Sequence, residues 1–161
     1  MSLRPDDAGL ESLPLRLMIV AVVAGLSIAP AADALEALED RSFLHRCDVE
    51  LLRLISASQA VAMEGVGSNR TLGIDLATEG RLHVDRVAIG DAWGDPYMTS
   101  VVLDMSSGRR VIHSASEPFV WLASGDLDQL LVSSDRFWML MACDVRDGRH
   151  VVVCEVAPWT S

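Results

Sequence analysis

Asp91 and Asp95 stand four residues apart in "GDAWGDP", close enough for two loop carboxylates to share a calcium ion. The spacing matches no EF-hand, and exposed Asp in turns, bonded to nearby backbone N–H groups, is the ordinary explanation. Cys143 and Cys154 bracket "CDVRDGRHVVVC", where the register of a hairpin decides the chemistry. With Asp147-Gly148 as the two loop residues, Cys143 faces Val152 and the thiols sit diagonally. With Gly148-Arg149 as the loop, Cys143 faces Cys154 within disulfide reach. The pair is a candidate disulfide, set against two buried free thiols, and Cys47 leaves an odd count. Asn69-Arg70-Thr71 is an N-x-T sequon, which makes Asn69 a candidate glycosylation site on an exported chain.

Beyond these, reactive residues are dispersed. His45, His83, His113 and His150 show neither H-x-x-x-H nor H-E-x-x-H spacing. No G-x-S-x-G, P-loop or G-x-G-x-x-G occurs, so no catalytic residue, metal or cofactor is expected. Trp93 and Tyr97, with Trp121, Trp138 and Trp159, are candidates for an aromatic binding surface, with ordinary packing as the alternative. The formal net charge is −10 and all 13 basic residues are Arg, so the chain repels phosphate backbones and no nucleic-acid partner is expected.

Two kinds of element must position these groups. From residue 65 onward, short alternating runs are punctuated by turn residues. "TLGIDLATEGRLHVDRVAIG" predicts two strands joined at Glu79-Gly80, "TSVVLDMSSGRRVIHSA" a pair joined near Ser107-Gly108, and "RFWMLMACDVRDGRHVVVCEVA" a third pair. "GDAWGDP" and "SASEP" predict loops, and "GDLDQLLVSS" a short helix. Consecutive hairpins imply a small antiparallel sheet, residues 65–161, with one face on a preceding helix.

That helix spans 33–64. Leu35, Leu38, Leu44, Cys47, Leu51, Leu54, Ile55, Ala57, Val61 and Ala62 fall mostly three or four apart, with charged residues between them, and the pattern ends at Gly65. Glu50 can pair with Arg46 or Arg53. Upstream, Leu17 to Ala32 is 16 residues without a charge, ~24 Å as helix, and extension back to Leu10 gives ~34 Å against a hydrocarbon core of ~30 Å. Crossing a membrane would then require Arg16 to snorkel or meet a carboxylate. Such a segment can be a secretion signal cut near Ala31, at one of two A-x-A triplets, which would release a small secreted protein or enzyme. It can be a plain single-span anchor for an extracytoplasmic binding domain, or the apolar half of one long helix that assembles with copies of itself.

Gly9 followed by Leu10-Glu11-Ser12, then Pro14, the apolar run and the amphipathic continuation resembles the type IV pilin family, including its archaeal pilin-like and pseudopilin relatives. The resemblance implies an α+β chain with a long apolar-to-amphipathic N-terminal helix and a small antiparallel β-sheet head. It implies a leader, residues 1–9, cut between Gly9 and Leu10 by a prepilin-type peptidase, and a retained membrane and assembly helix over 10–32. Glu11 would be the carboxylate that registers subunits, by pairing with the free amine of a neighbour. The implied role is a non-catalytic structural subunit of a filament or pseudopilus. It would be anchored in the cell membrane by a single pass, head outside, with homo- or hetero-oligomeric pilin-like partners. Asp7-Ala8 precede Gly9 where the family usually carries basic residues, and Glu11 would be the second mature residue instead of the fifth.

Overall fold

The computed structural model describes residues 8–78, 80–115 and 117–159. A 57-residue helix, α1 (Ala8–Glu64), precedes eight strands. The chain divides into two compact units, Met1–Arg41 and Ser42–Ser161. The division falls inside α1 because buried packing against strands begins at Phe43.

The first unit is helical from Ala8 onward, and its described side chains are exposed. Leu35 and Leu38, expected on the inward stripe, belong to this exposed group at 62% and 59%.

In the second unit, residues 42–64 of α1 bury one face: Phe43, Cys47, Leu51, Leu54, Ile55, Ala57 and Val61 are all below one-tenth exposed. Three or four residues apart, these positions put a single stripe on the core. The strands form two four-stranded sheets rather than one. The first has the order β1 (Asn69–Asp75), β7 (Arg136–Arg146), β8 (Arg149–Pro158), β5 (Leu122–Ala123). The second has the order β4 (Arg110–Ser114), β3 (Ser100–Met105), β2 (Val84–Ile89), β6 (Leu130–Val132). All pairings are antiparallel except β5–β8. Alternation on β7 sends Phe137, Met139, Met141 and Cys143 into the core that also holds the helical stripe.

The hairpins β3–β4 and β7–β8 form where turn residues predicted them. Asp147 and Gly148 lie at φ 52° and 72°, the signs of a type I′ turn, and pair Arg146 with Arg149. The first expected hairpin does not form. β1 pairs with β7, and β2 with β3 and β6, so residues on either side of Gly80 enter different sheets. Asp75 starts the departure by accepting a hydrogen bond from the Ala77 N–H at 3.0 Å, while Leu76 N–H donates to Asp135 O at 2.7 Å. The turn residue Glu79 lies outside the described residues. The short helix expected in "GDLDQLLVSS" is instead strand β6, because Leu130–Val132 complete the free edge of β2. Tertiary pairing outweighs the weak helical preference of three residues.

The two sheets meet at Gly90. Its φ is 61°, and a Cβ there would stand 1.9 Å from the Leu122 carbonyl oxygen. Asp91 N–H donates to that same oxygen at 3.1 Å, and Gly90 N–H to Ser100 O at 2.8 Å. Gly94, by contrast, is left-handed in open space. Gly94→Ala is therefore expected to cost about 1 kcal/mol of backbone strain, and Gly90→Ala roughly 3 kcal/mol or more, since strain and a backbone clash act together. All four Trp residues lie in the second unit, so denaturant unfolding followed by Trp fluorescence measures the difference there. Equal midpoints for the two variants would refute the close approach.

Candidate functional site: an uncovered apolar helix and an aromatic loop cluster

Residues predicted to do chemistry are not brought together. Gly9 and Leu10 lie in the first turn of α1, and the side chains of residues 8–13, Glu11 included, lie outside the described ones. Asn69 is the first residue of edge strand β1, opposite Ala142, with its side chain exposed.

The β7–β8 register puts Cys143 opposite Val152 and Cys154 opposite Met141. The two thiols are diagonal neighbours on the core face, a relation that places Cβ atoms ~7 Å apart, beyond the ~4 Å a disulfide needs. The candidate disulfide is accordingly not formed, and Cys47, Cys143 and Cys154 are buried free thiols. Burial pushes Cys47 up to about 11 and Cys154 up to about 12, and raises Cys143 as well.

Asp91 and Asp95 serve their own loop. Asp91 Oδ1 accepts from Ala92 N–H at 2.8 Å, Asp91 Oδ2 from Gln129 Nε2 at 3.3 Å, and Asp95 Oδ1 from Tyr97 N–H at 2.9 Å. Among the described residues no group of three His, Cys, Asp or Glu converges as a metal site would. His113 Nε2 lies 3.2 Å from Asp48 Oδ1, and His83 Nε2 lies 3.3 Å from Asp85 Oδ1. One row of charges crosses three strands: Asp104 on β3 accepts from Arg86 on β2 at 2.6 Å and from Arg110 on β4 at 2.7 Å. Those two hydrogen bonds hold its carboxyl below the usual carboxylate range.

The aromatic residues separate into two groups. Trp138 and Trp159 stack at 4.9 Å and 7° beside Gly73, whose missing Cβ leaves room for both rings. Trp93 packs edge-to-face on Trp121, at 5.2 Å, and on Phe119, at 6.0 Å. The Trp121 indole N–H donates to Asp91 O at 2.8 Å, which fixes the loop above it. The Arg149 guanidinium lies 4.5 Å from the Trp93 ring centre. Trp93, Tyr97 and Phe119 remain 43%, 39% and 53% exposed. Phe119 escaped the sequence reading because only its company with Trp93 distinguishes it from a lone exposed ring.

A long run of uncovered apolar side chains is helical. Nine large side chains between Leu15 and Ile28 are each more than half exposed. The helix is long and apolar enough to cross a membrane, with a mean hydropathy of 2.0 in its most apolar window. No protein-family model matches the chain, and no curated protein or solved structure matches it either.

The thiols give the test of the head's register. Alkylation at about pH 8 is expected to leave the native chain unmodified and to reach all three cysteines after denaturation without reductant. A single reactive thiol in the denatured, unreduced chain would mean a Cys143–Cys154 bond and the other register. The buried thiols also set an alkaline limit. Well below pH 9 both states keep their protons, whereas from about 9 toward 11 or 12 the unfolded thiols ionise ahead of the buried ones. Stability of the head is thus expected to fall over that window.

Proposed function

We propose that the chain is a membrane-anchored, pilin-like structural subunit, processed before Leu10, whose helix assembles with copies or relatives and whose β-rich head lies outside the membrane. One observation carries this reading: an uncovered apolar helix runs without a break into a helical segment whose single buried stripe is the core of a folded head. Large apolar side chains left in water forgo about 1.5–3 kcal/mol each, so nine of them require a bilayer, a neighbour, or both. Within a bilayer, lipid is as apolar as Leu, and association then depends on close backbone approach at small residues. Gly25 suits that demand, since a Cβ there meets nothing in the single chain. Ser27 satisfies its hydroxyl on Val23 O at 2.8 Å, within its own helix, so it enters an apolar medium without a stranded donor.

Two measurements test the proposal. N-terminal sequencing and intact mass of the protein from its native membrane are expected to give a start at Leu10. A start at Ala32 or Asp33 would overturn the proposal and leave a secreted head. An intact N-terminus would leave a plain anchor. Gly25→Leu is expected to reduce self-association in detergent at least tenfold while leaving the Trp-monitored unfolding of the head unchanged. Unchanged association would count against the helix as the assembling element.

A further inference from the structure

The Asn69-Arg70-Thr71 sequon takes no part in an assembling helix, and it stands where the fold leaves room for a bulky group. Its three residues open β1, an edge strand of the first sheet, and all three are exposed. Successive residues of a strand point to opposite faces, so Asn69 and Thr71 share one face. Register and burial fix which face that is. Leu72 and Ile74 pack on the core from the alternate positions, as do Met139, Met141 and Cys143 of β7. Asn69 stands opposite Ala142, Thr71 opposite Leu140 and Gly73 opposite Trp138, all on the outer face. The neighbouring Arg70 is drawn off to Glu64 at 2.6 Å. Among the described residues no group engages the Asn69 or Thr71 side chain.

The same outer face is apolar and uncovered beyond the sequon. Ala142 is exposed beside Asn69, and Leu140 is 39% exposed beside Thr71. Trp138 stacks on Trp159, which is itself 38% exposed. Glu155, opposite Leu140, adds an exposed carboxylate. From Asn69 to Gly73 is four residues, ~13 Å along the strand. The edge of β1 is also unevenly guarded. Arg53 occupies the outward carbonyl of Gly73. By the alternation of an antiparallel ladder, Asn69 and Thr71 turn their backbone groups outward as well, with no such guard among the described residues.

We propose that Asn69 carries an N-linked glycan, which lies over Leu140 and the Trp138–Trp159 pair and blunts the open edge of β1. The proposal rests on the reading that the head lies outside the membrane. The donor is an oligosaccharide joined through phosphate to a membrane lipid. The Asn69 amide nitrogen bonds to the anomeric carbon of the first sugar. The bond from that carbon to the phosphate oxygen breaks, the lipid phosphate leaves with the electron pair, and the amide gives up one proton. Thr71 supplies the hydroxyl that defines the acceptor, and it lies on the same face as the amide it serves. The exposed indole offers its negative face to sugar C–H groups, Leu140 offers apolar contact, and Glu155 accepts from sugar hydroxyls.

Mass spectrometry of the full chain from its native membrane tests the proposal, read on the peptide that spans Asn69 to Thr71. The parent is expected to carry the added mass of sugar residues on Asn69. Asn69→Gln and Thr71→Ala are each expected to lose that mass entirely, and Thr71→Ser to keep it, because serine retains the hydroxyl. All three side chains are exposed and make no contact with the core, so Trp-monitored unfolding is expected to show a folded head in every variant. Acrylamide quenching of Trp fluorescence is expected to rise in Asn69→Gln, where the stacked pair is no longer covered. Unchanged quenching would overturn the covering contact. Protease added to cells stripped to the cytoplasmic membrane locates the head independently. A head digested from outside with a bare Asn69, or added mass that survives Asn69→Gln, would overturn the glycan and leave the pilin-like reading standing. A head protected inside the cell would overturn both.

Discussion

The stripe Phe43–Cys47–Leu51–Leu54–Val61 is the surface against which the head is built. Two four-stranded sheets each have an apolar face to bury, and Met139 and Met141 from one reach the same core as Val101 and Leu103 from the other. A helix offering one continuous apolar stripe gives them a common partner. Polar side chains on its flanks then bind strand β1 and the segment that follows it. Arg53 donates to Gly73 O at 2.8 Å while also paired with Glu50 at 2.9 Å, and Arg46 donates to Ala77 O. The Arg53 guanidinium on the Gly73 carbonyl occupies an edge-strand acceptor that would otherwise invite another strand. Ser58, the buried polar residue on this face, resolves its hydroxyl on Ile55 O at 2.7 Å and leaves no stranded donor.

How much of this was legible in the sequence follows from which interactions are local. The 3.6-residue period of 43–62 and the Gly65 stop describe a helix by themselves, and so they could be read directly. Asp147-Gly148 and the "MSSGR" turn also carry their own backbone geometry, so two hairpins were legible with them. The β1–β7 pairing was not. Asn69 meets Ala142 across more than seventy residues, and nothing in "NRTLGID" distinguishes β7 from the adjacent β2 as its partner. β5 was hidden for a related reason: two residues, Leu122 and Ala123, join β8 in parallel, and a pair that short has no periodicity. Once β1 leaves for the other sheet, a single-sheet head becomes two.

The candidate sites divide in the same way. The diagonal relation of Cys143 and Cys154 was one of two registers that the turn permits, and the left-handed Asp147-Gly148 pair selects it. The roles of Asp91 and Asp95 as turn acceptors could be anticipated from residue type, because Asp in a loop commonly bonds the next backbone N–H groups. The charge row Arg86–Asp104–Arg110 required the register of three strands, and the sequence separates its members by 6 and 18 positions.

The aromatic end shows how a surface arises from a crossing between sheets. β5 adds to β8 with Leu122 opposite Val152, and this places Trp121, one residue earlier, next to Val151 and Ala123 in a small second core. Leu122 O meanwhile accepts the Asp91 N–H, and Trp121 donates to Asp91 O, so two hydrogen bonds hold loop 90–98 above the indole. Trp93 can then rest edge-on against Trp121, with Phe119 and Arg149 also against it, and it stays 43% exposed. A buried indole fixed by its own N–H is a rigid base, and rigidity matters because an exposed ring bound to a mobile loop would lose conformational entropy on every contact. Gly90 is what permits the close approach, since any side chain there would strike Leu122 O and separate the sheets. The outward aromatic surface is therefore a product of how β2 and β5 meet.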